Sequence, residues 1–163
     1  NVRPMGRTAS GVRGISMTES DEVVGMVTVE DFSKTVLVVS ENGYGKRTYL
    51  NDPETDEPIY RVTNRGGKGV KTLNITDKTG NLIAIKDVTD DDDLMIINKS
   101  GITIRMHVAD IRSQGRATQG VKLINLKGSD QIAAVAKVER DEDDEILMDN
   151  ESTDDSGNII DNE

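Results

Sequence analysis

The chain has no cysteine and no tryptophan, and its only aromatic residues are Phe32, Tyr44, Tyr49 and Tyr60. Without cysteine it can form neither disulfides nor thiolate metal sites, which suits a reducing compartment. Four aromatic rings are too few for the stacking platforms that bind single-stranded nucleic acid. No apolar run approaches the roughly 20 residues of a membrane span, and the first residues carry no signal-peptide pattern. These absences favour a cytoplasmic protein whose core is built from Val, Ile, Leu, Met and Ala.

Charge is divided unevenly along the chain, whose net charge is −10. Residues 139–163 hold 12 acidic residues and one basic residue, Arg140, for a net charge of −11. Residues 1–138 hold 18 acidic and 19 basic residues, for a net charge of +1. We therefore predict a nearly neutral folded body over 1–138 and an acidic, flexible tail over 139–163.

What the chain has in abundance is internal repetition. The motif Gly-Val-Arg/Lys occurs at Gly11, Gly69 and Gly120, each time after a short basic stretch. The first two copies keep a constant offset of 58 residues, so that Gly43 matches Gly101. A fixed period of this size is typical of arrays of supersecondary units that bury their apolar faces against one another. We place the starts of the three copies near residues 3, 61 and 112.

Each copy reads as a series of short strands. A period-two run is followed by a polar turn and a second apolar run, and the first two copies continue into a hairpin. The Asn42-Gly43 pair predicts a type I′ turn, because that turn needs positive φ at both central residues. The predicted strands are residues 12–17, 23–29, 36–40 and 44–49, then 70–75, 81–85, 94–97 and 102–107, and finally 132–138. The pattern predicts an all-β architecture of four-stranded antiparallel blades.

The array contains two complete units and part of a third, so that about three blades are represented. An incomplete sheet exposes an unpaired edge, which normally has to be covered. We expect strand exchange between copies, or a second copy of the chain, to cover that edge.

Basic residues recur at equivalent places in these copies, and the sharpest local element is Arg65-Gly66-Gly67-Lys68-Gly69. It is not a P-loop, because Lys68 is followed by Gly69 and Val62 stands six residues before Lys68, where the motif needs its first glycine. Its glycines can bring the backbone close to a phosphate. Bases repeated in register must line one edge of the array, which is the electrostatic pattern of a duplex-DNA interface. The candidate DNA-binding residues are Arg7, Arg13, Lys46, Arg47, Arg65, Lys68, Lys71, Arg105, Arg116 and Lys122.

Candidates for catalysis are weak. His107 is the only histidine and lies in a predicted strand, where a structural role is the simpler interpretation. The carboxylates of residues 90–93 lack the spacing and the glycine of a calcium loop. Tyr44 follows a hairpin turn, where packing against a neighbour is the simpler interpretation. We find no nucleophile–base pair and no zinc ligand set, and we expect no catalytic residue and no metal site.

Several segments resemble a known family in order and in sequence. They are VRPMGR at 2–7, GVRGI at 11–15, ENGYGKR at 41–47 and GRATQGV at 115–121. They are similar to the C-terminal domain of bacterial DNA gyrase A, over about residues 2–138, and the acidic tail resembles the end of that protein. The order corresponds to the fourth to sixth of that family's usual six blades.

The resemblance implies a β-pinwheel, a propeller-like disc whose basic rim wraps double-stranded DNA. In that family wrapping lets an ATP-dependent type II topoisomerase introduce negative supercoils, while ATP, Mg²⁺ and the catalytic tyrosine belong to other domains. The implied partners are DNA, the rest of gyrase A and the gyrase B protein, with no membrane. The family's diagnostic box is Gln-Arg-Arg-Gly-Gly-Lys-Gly in the first blade. Here Thr63 and Asn64 replace its Gln and first Arg, and the loop lies in a later blade.

Two alternatives remain at the level of sequence. The equivalent C-terminal domain of topoisomerase IV is similar but lacks the box, and the box-like loop and acidic tail favour gyrase. A β-repeat scaffold that binds other proteins is the alternative from a different functional class.

Overall fold

The computed structural model of the chain describes residues 3–139, which form seven strands and one 3₁₀ turn. The predicted tail lies outside the described residues except for Glu139, the last residue of the final strand. The elements are β1 (Thr35–Ser40), β2 (Tyr44–Tyr49), β3 (Leu82–Val88), β4 (Asp92–Asn98), β5 (Thr103–His107), the 3₁₀ turn (Val108–Asp110), β6 (Val121–Lys122) and β7 (Ile132–Glu139).

The strands form two antiparallel sheets, which confirms the predicted all-β class. The first sheet has the order β3–β1–β2–β6, and the second has the order β5–β4–β7. Each sheet is built around one of the predicted hairpins, β1–β2 in the first and β4–β5 in the second.

Neither sheet is made from a single copy of the repeat. The first copy supplies the hairpin β1–β2, and the second copy supplies the neighbouring strand β3. In the same way the third copy supplies β7 to the hairpin of the second copy. The two exchanges share one register, including a bulge after Val39 in β1 and after the equivalent Ile97 in β4. Strand exchange between copies, which we expected at the sheet edges, is therefore confirmed for these strands.

The hairpin turns match the prediction in position but not in type. Gly43 and Gly101 are both left-handed, with φ of 83° and 85°. Asn42 is not left-handed, because Asp56 is the only non-glycine residue with positive φ among residues 3–139. The amide of Gly43 donates to the carbonyl of Ser40 at 3.1 Å, so the connection is a three-residue loop that ends in a glycine. The predicted type I′ turn is wrong, because a three-residue loop needs positive φ only at its last position.

The main core lies between the two sheets. It contains Leu37 of β1, Val88 of β3, Leu94 and Ile96 of β4 and Val135 of β7. Full burial of such side chains stabilises the fold by about 1.5–3 kcal/mol each. A second cluster covers the other face of β1, where Val36 and Val38 pack with Leu50 and Leu73. Because β1 is buried on both faces, the first sheet is held on two sides.

Three of the predicted strands do not form, those over residues 12–17, 23–29 and 70–75. The strand exchange explains why residues 23–29 form no strand. The equivalent strands β3 and β7 each pair with a hairpin that precedes them in the chain. Residues 3–22 contain no hairpin, so 23–29 has no such partner, and Met26 is 87 % exposed. Residues 70–75 pack without a ladder, through Leu73. The first copy therefore supplies two strands and not four.

Candidate nucleic-acid interface

The three Gly-Val-basic motifs have the same backbone geometry. Gly11, Gly69 and Gly120 are all left-handed, with φ of 78°, 76° and 82°. This conformation costs residues with a side chain about 1–2 kcal/mol, so glycine is favoured at each of these positions. At Gly120 a side chain would also collide with the first sheet, since an added Cβ would lie 2.6 Å from the carbonyl oxygen of Gly45. The repeat seen in the sequence is thus a repeat in conformation.

Loops of successive copies lie side by side and are joined by one recurring hydrogen bond. The amide of Ser16 in the first copy donates to the carbonyl of Gly67 in the second, at 2.9 Å. The equivalent amide of Asn74 in the second copy donates to the carbonyl of Thr118 in the third, at 3.0 Å. The loops of all three copies therefore form a continuous strip, which we call the basic strip.

Two sets of basic side chains recur on the basic strip. One set lies four residues before the left-handed glycine and consists of Arg7, Arg65 and Arg116. The other lies two residues after it and consists of Arg13, Lys71 and Lys122. Arg116 is half-buried and the other five are exposed, as is Lys68.

The basic strip has no acidic partners in the part of the chain that the structure describes. Between residues 3 and 139, ion pairs form elsewhere, and no carboxylate pairs with a base of the strip. The contacts of these bases are to neutral oxygens: Arg116 Nη1 donates to the Lys71 carbonyl at 3.1 Å, and Lys71 Nζ donates to Asn74 Oδ1 at 2.7 Å. The positive charge of the strip is not neutralised within residues 3–139.

Lys46 and Arg47, two of the predicted DNA-binding residues, are buried. Lys46 is 0 % exposed, and its ammonium group donates to the carbonyls of Gly115 and Arg116 at 2.5 and 2.6 Å. Arg47 donates to the carbonyl of Ile111 and pairs with Asp90. Their donors are used inside the fold, so neither side chain reaches the surface of the strip.

Burial changes the acidity of Lys46. Loss of hydration, and to a smaller extent the nearby charge of Arg116, lowers the pKa of Lys46 from 10.5 to about 8. The ammonium form is therefore retained at neutral pH, but with a smaller margin than that of an exposed lysine.

Arg105, the last of the ten candidates, lies on β5, apart from the loops. Its Nε donates to Asp93 Oδ2 at 2.7 Å, and His107 Nδ1 lies 2.6 Å from the other oxygen of the same carboxylate. Asp93 is buried, while the side chain of Arg105 remains partly exposed. The pair aligns the end of the hairpin β4–β5.

The box-like loop, residues 65–69, lies beside the loop of the first copy. Gly66 has φ of 73°, and its amide donates to the carbonyl of Gly14 in the first copy at 2.9 Å. An added Cβ at Gly67 would lie 3.1 Å from the carbonyl oxygen of Asn64, and one at Gly69 would lie 3.6 Å from Ile15 Cδ1. Gly66 and Gly69 are therefore favoured by their left-handed backbone, and Gly67 by close packing within its own loop, with Arg65 and Lys68 on the exposed side.

The weak candidates for catalysis have structural partners. Asp90 pairs with Arg47, Asp92 accepts from the Thr89 amide at 2.7 Å, and Asp93 holds His107. Tyr44 packs under Lys78, whose ammonium nitrogen lies 5.5 Å from the ring centre. Within residues 3–139 no group of three or more His, Asp or Glu residues is placed to hold a metal ion. The same residues include no helix long and apolar enough to cross a membrane.

Sequence reasoning missed the residues that support the third-copy loop. Thr48 Oγ1 donates to the carbonyl of Gln114 at 2.9 Å, and Thr118 Oγ1 lies 3.2 Å from the Lys46 ammonium nitrogen. Polar residues in consecutive strand positions predict an exposed strand, whereas Gly45 to Thr48 are all buried. A repeated loop sequence shows that the loop recurs, but it does not show which distant strand packs beneath the loop.

Comparison with known proteins gives one consistent family. The model of the DNA gyrase C-terminal domain, a β-propeller, matches residues 1–30, 34–52, 60–89 and 92–139. The DNA gyrase A protein of Staphylococcus aureus strain NCTC 8325 is 51% identical over 153 residues, which is 93% of this chain and 16% of that protein. The DNA gyrase A protein of strain MRSA252 is 52% identical over 145 residues, or 88% of this chain and 16% of that protein. The chain thus spans about a sixth of the length of these relatives.

Solved structures agree with the fold. A DNA gyrase A C-terminal domain superposes with a TM-score of 0.68 at 27% identity, covering 83% of this chain and 44% of that one. The C-terminal domain of a DNA topoisomerase IV superposes with a TM-score of 0.70 at 20% identity, covering 88% and 43%. At that lower identity the second likeness concerns the fold alone.

Proposed function

This chain belongs to the family of DNA gyrase C-terminal β-propeller domains, and from that premise we propose that it is a non-catalytic module that binds and wraps double-stranded DNA. The observation that carries the proposal is the recurring bond of Ser16 to Gly67 and of Asn74 to Thr118. It sets equivalent loops side by side, so that equivalent bases follow one another along the basic strip. A row of evenly spaced cations can bind a phosphate backbone. Contacts to phosphates do not distinguish one base sequence from another.

The proposed phosphate contacts are the exposed bases of the basic strip, with Arg105 as an outlying member. They are Arg7, Arg13, Arg65, Lys68, Lys71, Arg116 and Lys122. Lys46 and Arg47 are left out of this set because their donors are used inside the fold.

In the whole protein we propose that this module serves a DNA gyrase, a type II topoisomerase, by presenting wrapped DNA for negative supercoiling. The partners are double-stranded DNA, the rest of gyrase A and the gyrase B protein, and the location is the cytoplasm. ATP and Mg²⁺ act through other domains, and this chain supplies binding and curvature. The identity to gyrase A favours this function over the topoisomerase IV alternative.

Duplex titration at several salt concentrations tests the proposal. We expect binding that does not depend on DNA sequence and a log K that falls linearly with log salt, because bound phosphates release counterions. Replacing one base of the strip, for example Arg65→Ala, should lower that slope by about 1 for every duplex tested. A matched control is Lys99→Ala, which removes an equal charge from the tip of the second hairpin. The ammonium group of Lys99 donates to Gln131 Oε1 at 2.6 Å. The control should leave the slope unchanged.

A protein-binding scaffold gives a different result. Duplex binding that is absent, or that is equally sensitive to Lys99→Ala and Arg65→Ala, would remove the basic strip as a DNA interface. Strong dependence on sequence would indicate base readout and would contradict binding through phosphates alone.

A further inference from the structure

The ammonium group of Lys46 lies directly beneath a loop of the basic strip. Lys46 belongs to β2 of the first copy, and the loop, residues 114–118, belongs to the third copy. All three donors of the ammonium group face this loop: the carbonyls of Gly115 and Arg116 accept at 2.5 and 2.6 Å, and Thr118 Oγ1 accepts at 3.2 Å. A lysine ammonium has three donors and no acceptor, so the group is fully used.

Neutral bonds from the same strand complete the support. Thr48 Oγ1 donates to the Gln114 carbonyl at 2.9 Å, and the Gln114 amide donates to the Arg47 carbonyl, also at 2.9 Å. The loop that carries Arg116 is therefore attached to the first sheet at both of its ends.

Within residues 3–139 the equivalent loop of the second copy has no such support. Residues 64–67 are joined to Gly14 and Ser16 through backbone groups, and no described side chain donates to them. The loop of the third copy rests on the hairpin of the copy two places before it, and residues 3–139 contain no hairpin two places before the loop of the second copy. The chain thus contains two equivalent arginines, Arg65 and Arg116, of which one rests on a buried cation.

We propose that Lys46 is a positioning residue for DNA binding: it fixes the loop of residues 114–118 so that Arg116 faces the phosphates. This inference rests on the proposed function. Charge-assisted bonds to two carbonyls hold the loop more firmly than neutral bonds do.

A double-mutant cycle on the full chain separates this role from general stability. Lys46→Met keeps an unbranched side chain, one atom shorter, and removes its donors and charge. We expect it to weaken duplex binding by about as much as Arg116→Ala, and to lower the salt slope by about 1, which is a three- to fourfold smaller affinity change between about 50 and 200 mM salt. Combined with Arg116→Ala it should add little, whereas combined with Arg65→Ala its effect should be fully additive.

Thr48→Val is the matched control, because it removes one neutral bond to the same loop from the same strand. It should lower the salt slope by less than Lys46→Met does, because a neutral bond holds the loop less firmly than a charge-assisted bond. Amide NMR signals of residues 114–118 should shift in Lys46→Met while those of residues 64–67 keep their positions.

The absence of cysteine from the chain permits a chemical rescue. Lys46→Cys can be alkylated in the unfolded state with bromoethylamine, which rebuilds an ammonium side chain at this position alone, or with bromoethane, which leaves a neutral side chain without hydrogen-bond donors. We expect the aminoethylated protein to recover the native salt slope and the ethylated protein to behave as Lys46→Met does. This pair also provides the test if Lys46→Met does not fold.

The outcomes separate the two proposals. Native protein that binds duplex DNA without salt dependence would end the proposed function itself. Native salt-dependent binding together with additive effects of Lys46→Met and Arg116→Ala, or equal behaviour of the two alkylated proteins, would overturn the role of Lys46 alone.

Discussion

Lys46 and Lys68 carry the same charge but differ in what surrounds them. The ammonium group of Lys46 is enclosed by carbonyl oxygens of another copy, whereas Lys68 stands exposed on the basic strip. Their sequence contexts, Tyr-Gly-Lys-Arg and Gly-Gly-Lys-Gly, are both basic and glycine-rich. Sequence reasoning therefore placed both on one surface, because the depth of a side chain depends on which distant segment packs over it.

Gly120 offers a direct test of the repeated backbone geometry. Gly120→Ala places a side chain at φ of 82° and brings its Cβ to within 2.6 Å of the Gly45 carbonyl oxygen. We expect the free energy of unfolding to fall by at least about 2 kcal/mol, from left-handed strain and the clash together. Urea denaturation measures the change. Gly6→Ala is the control, because Gly6 has neither positive φ nor any atom within 4 Å of an added Cβ. Equal stability of the two variants would contradict the close approach of these backbones.

Lys46 also predicts a dependence of stability on pH. Burial, and then Arg116, lower its pKa to about 8 in the folded chain, against 10.5 in the unfolded chain. Between pH 8 and 10.5 the unfolded chain binds a proton at Lys46 that the folded chain has released. The free energy of unfolding therefore increases with pH over this range. Below pH 8 both states are protonated and the folded state bears the full cost of the buried charge. We expect the stability of the native protein relative to Lys46→Met to rise by about 1–3 kcal/mol from about pH 8 to 10.5. A difference that stays constant over this range would contradict the shifted pKa.

At the scale of elements, the two hairpins were the best predicted part of the fold. Alternating β-branched residues around Gly43 and Gly101 indicate local pairing, and local pairing needs no information about distant segments. The exchange of β3 and β7 between copies was expected only in general terms. The runs 23–29 and 81–85 look alike in sequence, yet only the second has a hairpin before it in the described chain. Strand formation there depends on an available partner and not on propensity.

Equivalent positions of these runs should differ sharply in their effect on stability. Val24, Leu82 and Ile132 correspond in the repeat, but Ile132 in β7 is 2 % exposed while Val24 is 42 % exposed. We expect Ile132→Ala to lower the free energy of unfolding by about 2–5 kcal/mol, because it opens a cavity in the core. Val24→Ala should change it by less than about 0.5 kcal/mol. Chemical denaturation measures both, and similar losses would mean that residues 23–29 are paired as β7 is.

At the scale of the whole molecule, the sequence predicted how charge divides between the body and the acidic segment. It did not predict which basic side chains share the surface of the basic strip. The recurrence of Arg7, Arg65 and Arg116 fixes where the bases lie in each copy. Only the bonds between copies, Ser16 to Gly67 and Asn74 to Thr118, show that these loops adjoin. Burial then removed Lys46 and Arg47 from the exposed set, since β2 lies beneath a loop that is distant in sequence.

The acidic C-terminal segment should compete with DNA for this surface. Residues 139–163 carry a net charge of −11, and they are tethered to a chain whose basic strip has no acidic partner in residues 3–139. A tethered polyanion has a high effective concentration at a nearby cationic surface, and its attraction is screened by salt. Removing residues 140–163 should therefore tighten duplex binding at low salt, and the gain should shrink as salt increases. A variant with the same segment in shuffled order keeps the charge and should bind as the native chain does, whereas one with its acids replaced by Asn and Gln should resemble the deletion. Unchanged affinity of the deletion at low ionic strength would show that the segment does not meet the basic strip.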